Sequence, residues 1–284
     1  EILSHQSGIV PWLPFYKETL REKDNKLLRK YYRDRATKRN TIEVAANVFG
    51  RSTLAEEQYT ALINSALWEK GYHYSDLPFI FIQHILEKTY ATPLDQLFNE
   101  RIAIPLGLQS TLYKPLRKIE SDRIIPSEID TYFRQQTLRG YVHDMTAAVQ
   151  GGVSGHAGLF SNAKDVATIM QLYVQKGYYN GQQFFSPATF DQFNQCYYCA
   201  EENRRGVGLD KPQTGGGGMT FQGISMESFG HAGFTGTYAW ADPTTGIVFV
   251  FLSNRTFPNM ENRKLIDHSI RTRMLKLVYD AILY

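Results

Sequence analysis

The segment "HAGFTGT" (231–237) sets a histidine, a minimal side chain and a glycine in a row at the head of an apolar stretch. On a strand, side chains alternate, so His231 and Gly233 face the same way. A glycine there opens a gap through which a ligand backbone can approach the strand edge. The N–H of the next residue, Phe234, then faces a substrate carbonyl. Taken alone, a buried histidine beside a bulge glycine is the commoner arrangement.

Three other stretches offer chemistry. In "YHYSDLPF" (72–79), Tyr74 stands just before a helix that Ser75 or Asp76 can cap. A tyrosine held there near a cation can have its pKa lowered enough to relay protons; aromatic packing at a helix entrance is the plainer alternative. In "GGVSGHAGLFSNAKDVA" (151–167), small residues imply a tight path into a helix, with His156 a candidate or simply a histidine satisfying loop carbonyls. The same stretch holds the chain's only Ser-x-x-Lys, Ser161 to Lys164. On a helix that spacing lets a lysine activate a hydroxyl. Here Ser161 falls at an expected N-cap and Lys164 on an early exposed turn, so we read it as a decoy. "GYVHDMTAA" (140–148) adds His143 beside Asp144, expected to be a hydrogen-bonded loop pair. Without further ligands at the right spacing, no metal or cofactor is expected.

The elements that must position these residues read as α+β. Residues 17–35 are expected to be helical at least in part, 55–69 helical, and 76–88 a helix apolar all round and therefore buried. "ATPLDQLFNERI" (91–102) opens a helix with Thr92 as cap and Pro93 in the first turn. Residues 163–176 are amphipathic, with Val166, Ile169, Met170 and Tyr173 on one side, and Ser186 followed by Pro187 opens another helix. Beyond the loop "TGGGG" (214–218), 229–241 and 247–253 read as two strands joined by "DPTTG". The second strand is apolar from 247 to 252, which calls for helices on both sheet faces. A final helix offers Ile266, Ile270, Met274, Leu277, Val278 and Ala281 as its inner stripe. The expectation is one domain over 1–284, mainly helical over 1–220, then a hairpin and closing helix over 221–284.

Bulk properties exclude several classes. The 284 residues are 43% hydrophobic and 21% charged, as in ordinary globular proteins. A net charge of +3, with basic residues interleaved by acidic ones over 17–40, does not call for nucleic acid. The apolar runs are too short to span a bilayer. No signal peptide is seen and the first residue is not methionine, so a processed or truncated chain is expected. Cys196 and Cys199 form an isolated C-x-x-C, read as two incidental thiols near a helix end.

Taken in order, these segments resemble the serine β-lactamase and penicillin-binding-protein superfamily, in its class C-like and esterase-like branch. "ILSHQSGI" (2–9), "YSD" (74–76), "PLGL" (105–108), "GHAGLFSNAKDVA" (155–167) and "HAG" (231–233) look like five of its motifs. "SHQSGIVPWLPFY", "GYVHDMTAAVQGGVSGHAGLFS" and "FGHAGFTGTYAWADP" are most similar to the β-lactamase-like region that follows a family 3 glycoside hydrolase in some bacterial β-N-acetylglucosaminidase fusions. The resemblance implies an antiparallel sheet flanked by helices and a cell-envelope or periplasmic location. It implies Tyr74 as proton-transfer residue, His231 as electrostatic tuner in place of a lysine, and the Phe234 N–H as half of an oxyanion hole. Asp76, Ala232 and Gly233 would line the substrate. Asp76 in place of asparagine disfavours carboxylate substrates, and His231 in place of lysine favours an esterase or amidase over β-lactam turnover.

The resemblance also implies that the nucleophile serine and lysine lie outside this chain, which alone would be inactive. An unpaired sheet edge at 247–253 would then be covered by an upstream segment or a second chain. The expected activity is an acyl-enzyme hydrolase acting on a small or cell-wall-derived ester, amide or peptide. The competing reading is a non-catalytic binding or scaffolding module appended to a glycosidase. Glycosidase activity within this chain would need a second carboxylate across the cleft from Asp76, and none is placed there by the sequence.

Overall fold

The terminal sheet is the frame on which the rest is hung, and its strand order follows from two glycine-closed turns. In this computed structural model, which describes residues 1–201, 203–213 and 217–283, Phe229–Ala232, Tyr238–Asp242 and Ile247–Phe251 pair antiparallel in that order. The stretch 229–241 is thus two strands where one was expected. The Gly233 N–H donates to the Thr237 carbonyl (2.9 Å) and the Gly236 N–H to the Gly233 carbonyl (3.1 Å), with Gly236 at φ 110°. That backbone is left-handed territory which glycine enters freely. The second turn is built on fully buried Asp242, whose carboxylate accepts from the Thr244 N–H (2.9 Å) and the Thr245 hydroxyl (3.0 Å).

Period-two alternation gives the sheet two buried faces. Tyr238, Trp240 and Ile247 pack on Leu275 and Tyr279 of the helix Ile270–Leu283. Phe229 and Ala241 pack on Met170 and Phe190, from the helices Ala163–Val174 and Pro187–Asn194. Helices do cover both faces, as the apolar run at 247–252 required. Among the described residues, Ile247–Phe251 is an edge strand.

The closing helix presents a different stripe from the expected one. Leu275 and Tyr279 are buried, whereas Met274 is 41% and Leu277 60% exposed. The helical phase is not continuous from residue 266, because the short helix Lys264–Asp267 ends and Ser269 takes φ 47°. The Tyr279 hydroxyl then sets the new phase by donating to the Asp242 carboxylate at 2.9 Å.

The first 220 residues are mixed, not mainly helical, with small sheets between the helices. The charged run at 17–35 holds a short 3₁₀ turn, Phe15–Thr19, and a hairpin of Leu20–Arg21 with Lys26–Leu27. Asn25 at φ 53° and the ion pair of Arg21 with Asp24 close that hairpin, while a hydrogen bond of 2.8 Å between Tyr32 and Thr19 hydroxyls ties it to the core. The first long helix, Leu54–Ile63, stops short of 69 because Ser65 turns back onto the Leu62 carbonyl and Trp68 pairs with the Gly8 carbonyl. Leu77–Tyr90, expected to be apolar all round and buried, carries Gln83, His84, Glu87 and Lys88 and buries one face only, with Ile85 left 55% exposed.

Capping also departs from expectation in places. Thr92 does not cap Leu94–Phe98; the Glu87 carboxylate accepts the Leu94 N–H instead, at 2.9 Å. Asn162, not Ser161, caps Ala163–Val174, accepting the Asp165 N–H at 2.8 Å. Ser186 caps Pro187–Asn194 as expected. Cys196 and Cys199, expected to be free thiols, are joined by a disulfide. Of the "TGGGG" loop, residues 214–216 lie outside the described residues. No helix among the described residues is long and apolar enough to cross a membrane.

Candidate active site

Tyr74 is fixed from the N-terminal side by the segment 2–10. His5, at φ 56°, accepts the Ser75 N–H on its Nδ1 (3.2 Å) and places its ring 4.5 Å from that of Tyr74. The Ser75 hydroxyl donates to the Val10 carbonyl (2.7 Å) and accepts the Leu77 N–H at the helix entrance (3.3 Å). Ser75 therefore caps, while Asp76 keeps its carboxyl for other partners.

The segment 203–210 connects this corner to the sheet. Asn203, fully buried, donates to the Ser4 carbonyl at 2.8 Å, and the Ser4 hydroxyl donates to the Gly206 carbonyl at 3.3 Å. Arg205 then lies with its guanidinium 5.1 Å over the Tyr74 ring, within cation–π reach. Its Nε is 2.8 Å from Asp210 Oδ1, an ion-pair contact between side chains 5% and 0% exposed. Asp210 exchanges backbone hydrogen bonds with Gly230 and holds His231 Nδ1 on its Oδ2 at 3.0 Å. Tyr74, Arg205, Asp210 and His231 thus form a continuous row.

The electrostatics of the row are definite. Burial would raise the Asp210 carboxyl, but the His231 hydrogen bond and the charges of Arg205, His231 and Arg204 outweigh it and hold it below the usual carboxylate range. An ionised carboxylate only accepts, so the His231 Nδ1 carries the proton. Arg205 Nη1, 3.4 Å from the same nitrogen, is then a close neighbour and not a hydrogen-bond donor to it. His231 Nε2 is left without a partner among the described residues, on a side chain 43% exposed. His5 is pushed down to about 4 by burial, then by the positive charges of Arg205 and His231.

A second cluster meets Tyr74 from the other side. Burial, then the Asp76 carboxylate, push the Tyr74 hydroxyl above its ordinary value, outweighing Arg205. The lowered pKa expected of this tyrosine is therefore reversed. Burial raises the Asp76 carboxyl, outweighing the opposing charge of His156. His156 Nε2 lies 2.9 Å from Asp144 Oδ1, and its Nδ1 2.9 Å from the Ser154 hydroxyl. Burial lowers the His156 imidazole, but the Asp144 hydrogen bond and the charges of Asp144 and Asp76 prevail and raise it. Asp144 is correspondingly held low against its own burial penalty. Asp144 also caps the helix Met145–Val149 by accepting the Ala147 N–H at 2.7 Å.

These contacts correct the expected loop pair of His143 and Asp144. Asp144 turns to His156, while His143 faces Glu128 (3.3 Å) and the Phe234 ring (5.4 Å). The glycines of "GVSGHAG" make the approach possible. A Cβ at Gly155 would lie 2.1 Å from the Phe79 carbonyl oxygen of the helix Leu77–Tyr90. Any side chain there would push His156 away from Asp144.

Ala232 ends its strand, and Gly233 and Phe234 lie on the turn that follows, so the strand geometry expected for them is absent. Phe234 is 61% exposed, and Arg255 packs 4.5 Å over its ring while donating from Nε to its carbonyl at 2.8 Å. Arg271 steadies the same turn by donating to the Thr237 carbonyl at 3.1 Å. With its carbonyl engaged, Phe234 has its N–H unbonded among the described residues.

The structure does not bring Ser161 and Lys164 into this cluster. The Ser161 hydroxyl bonds Thr111 at 2.7 Å, and Lys164 is exposed. Conversely, sequence reading missed His5, Arg205 and Asp210. "RRGVGLD" (204–210) carries no motif or periodicity; the one available signal was a lone acid in an otherwise basic, glycine-rich stretch.

Comparison with known proteins follows the same outline. The chain is 34% identical over 205 residues to a Salmonella enteritidis PT4 protein named "Putative D-alanyl-D-alanine carboxypeptidase", covering 68% of this chain and 47% of that protein. It is 35% identical over 197 residues to the Escherichia coli K12 protein of the same name, covering 64% and 44%. The chain thus spans about half the length of the curated relatives it matches. Its fold is similar to the octameric penicillin-binding protein homologue from Pyrococcus abyssi, with a TM-score of 0.61 at 15% identity over 98% of this chain and 55% of that one. The family profile described as Beta-lactamase matches residues 1–271, and the chain belongs to that family.

Proposed function

We propose that this chain forms one wall of a serine acyl-hydrolase site, acting through an acyl-enzyme on a small ester, amide or peptide. The observation that carries the reading is the unbroken row from Tyr74 through Arg205 and Asp210 to His231, with the Phe234 turn beside it. In this reading the substrate carbonyl lies against Ala232 and Gly233 with its oxygen on the Phe234 N–H. A serine hydroxyl attacks the carbonyl carbon, and its proton passes by way of Tyr74 to the leaving amine or alcohol. Water then cleaves the ester in the reverse sense. Tyr74 enters as the neutral phenol, so His231 and Arg205 favour charge transiently developing on it.

The names of the curated relatives suggest a peptide ending in D-alanine as substrate class, and a cell-envelope location. The Asp144 and Asp76 carboxylates raise the His156 imidazole, which favours positive charge beside the charge that Asp76 would turn against a substrate carboxylate. The reading assigns no role to Ser161 or Lys164, so the nucleophile and its lysine must come from elsewhere in the whole protein, and this chain alone would be inactive. It also expects the open edge of Ile247–Phe251 to be paired there. A fusion to a β-N-acetylglucosaminidase rests only on the likeness of three segments, and a non-catalytic module on such a glycosidase is the second reading.

Labelling the full-length protein with a fluorophosphonate or penicillin probe separates the two. Covalent labelling of a serine by either probe is expected, and the penicilloyl ester should be released by hydroxylamine. A full-length protein with an intact Ser-x-x-Lys that takes no label would leave the binding-module reading.

A further inference from the structure

A cavity of about 260 Å³ lies beside the segments that carry Asp144 and His156. It shares Val142, Gly151 and Gly152 with the two segments that lead to those residues. The volume is just under the roughly 300 Å³ at which pockets for drug-sized ligands begin, so its occupant is small. Ile42, Val44, Phe49, Val142 and Phe160 supply apolar surface to a mixed lining that is otherwise largely polar.

Its charges are unbalanced. Glu43 also lines the cavity and accepts the Tyr141 hydroxyl at 2.8 Å, a bond that leaves its single negative charge against two lining cations. Lys114 and Arg117 also line the cavity, and neither side chain has an ion-pair or hydrogen-bond partner among the described residues, unlike Lys176, Lys211 and Lys276. Lys114 is half-buried and held at φ 49°, ψ 59°. A lysine gains nothing from that left-handed backbone, which asparagine or glycine enters more readily. A Cβ on Gly151 would stand 3.8 Å from the Lys114 Nζ, so the ammonium lies over bare backbone. Burial, then the Arg117 charge, push its pKa down against the opposing charges of Asp95 and Glu43. A desolvated, unpaired ammonium on a strained backbone is costly unless something pairs with it.

We propose that this cavity is a second ligand site, for a small carboxylate with an apolar arm. The carboxylate is held by Lys114 Nζ and the Arg117 guanidinium. The arm lies along Ile42, Phe49 and Val142. The site is independent of the hydrolase reading and takes no part in it.

Calorimetric titration with hexanoate tests the proposal, with hexylammonium as the control of reversed charge. Hexanoate is expected to bind saturably with a Kd of about 1 mM or tighter. Lys114→Asn keeps the left-handed backbone while removing the ammonium, and should weaken binding roughly tenfold or more. Arg117→Gln, at an exposed position that leaves folding untouched, should weaken it about threefold. Hexylammonium should not bind. Absence of saturable hexanoate binding, equal binding by hexylammonium, or full affinity in either variant would each overturn the assignment.

Discussion

The Arg205 guanidinium lies 5.1 Å over the ring of Tyr74 and, through Nη1, 3.4 Å from Nδ1 of His231. One buried cation thereby joins a residue at a helix entrance to a residue on a sheet strand. Asp210 underlies the arrangement, since its two oxygens face Arg205 and His231 separately. The tyrosine and the histidine have no need to touch; each is placed against the same charged row.

Replacing Asp210 should be the most damaging single change in this region. Asp210→Ala would leave Arg205 buried without its counter-charge, and breaking such a pair costs about 3–5 kcal/mol. Denaturant melts of wild type and variant should differ by that amount. A difference within about 0.5 kcal/mol, the range of surface substitutions, would show that the row contributes little to folding.

Tyr74→Phe removes one hydroxyl and keeps the ring under Arg205. In the full-length protein it should slow covalent labelling by roughly 100-fold or more, the range of a lost proton relay. Its melting temperature should stay near that of wild type. Unchanged labelling kinetics would remove Tyr74 from the proposed chemistry.

His5 predicts a loss of stability on mild acidification. Its folded pKa of about 4 lies below the ordinary 6.5, so between these values the unfolded chain binds the proton and the folded one does not. Stability should therefore fall as pH drops from 6.5 towards 4. His5→Gln should flatten that part of the profile of unfolding midpoint against pH. An identical slope in the variant would contradict the assignment.

His156 predicts the opposite sign on the alkaline side. Its pKa is raised above 6.5, so its contribution is complete below 6.5 and is lost as pH rises through the higher folded value. Asp144, lowered from 3.8, contributes above 3.8 and loses that contribution as pH falls through its own folded value. The stability gap between wild type and His156→Gln should narrow as pH is raised past 6.5. A gap that widens there would mean the imidazole is neutral in the fold.

Local rules read from the sequence determined much of the frame. Ser186 with Pro187 opened a helix, and "DPTTG" made a turn because Asp242 and Gly246 supply its bonds and backbone. The apolar run at 247–252 called for helices on both sheet faces, and clusters on each side supply them. Motif order pointed to the family. Where several local solutions compete, tertiary contacts chose. The charged stretch at 17–35 became a hairpin because Tyr32 had a buried hydroxyl partner in Thr19, and the closing helix was rephased by one left-handed residue at 269 and a bond to Asp242.

The candidate site shows the same division. Tyr74 and His231 stood out by type and context, one just before a helix and the other just before a glycine turn. Their environment did not, because the charges that set it arrive from far along the chain. Arg205 and Asp210 lie in a stretch with no periodicity, and Asp144 chose His156 over its sequence neighbour His143. Coulomb interactions and desolvation depend on distance through space. Residue order alone carries the identities of these groups, and only the fold fixes which of them meet.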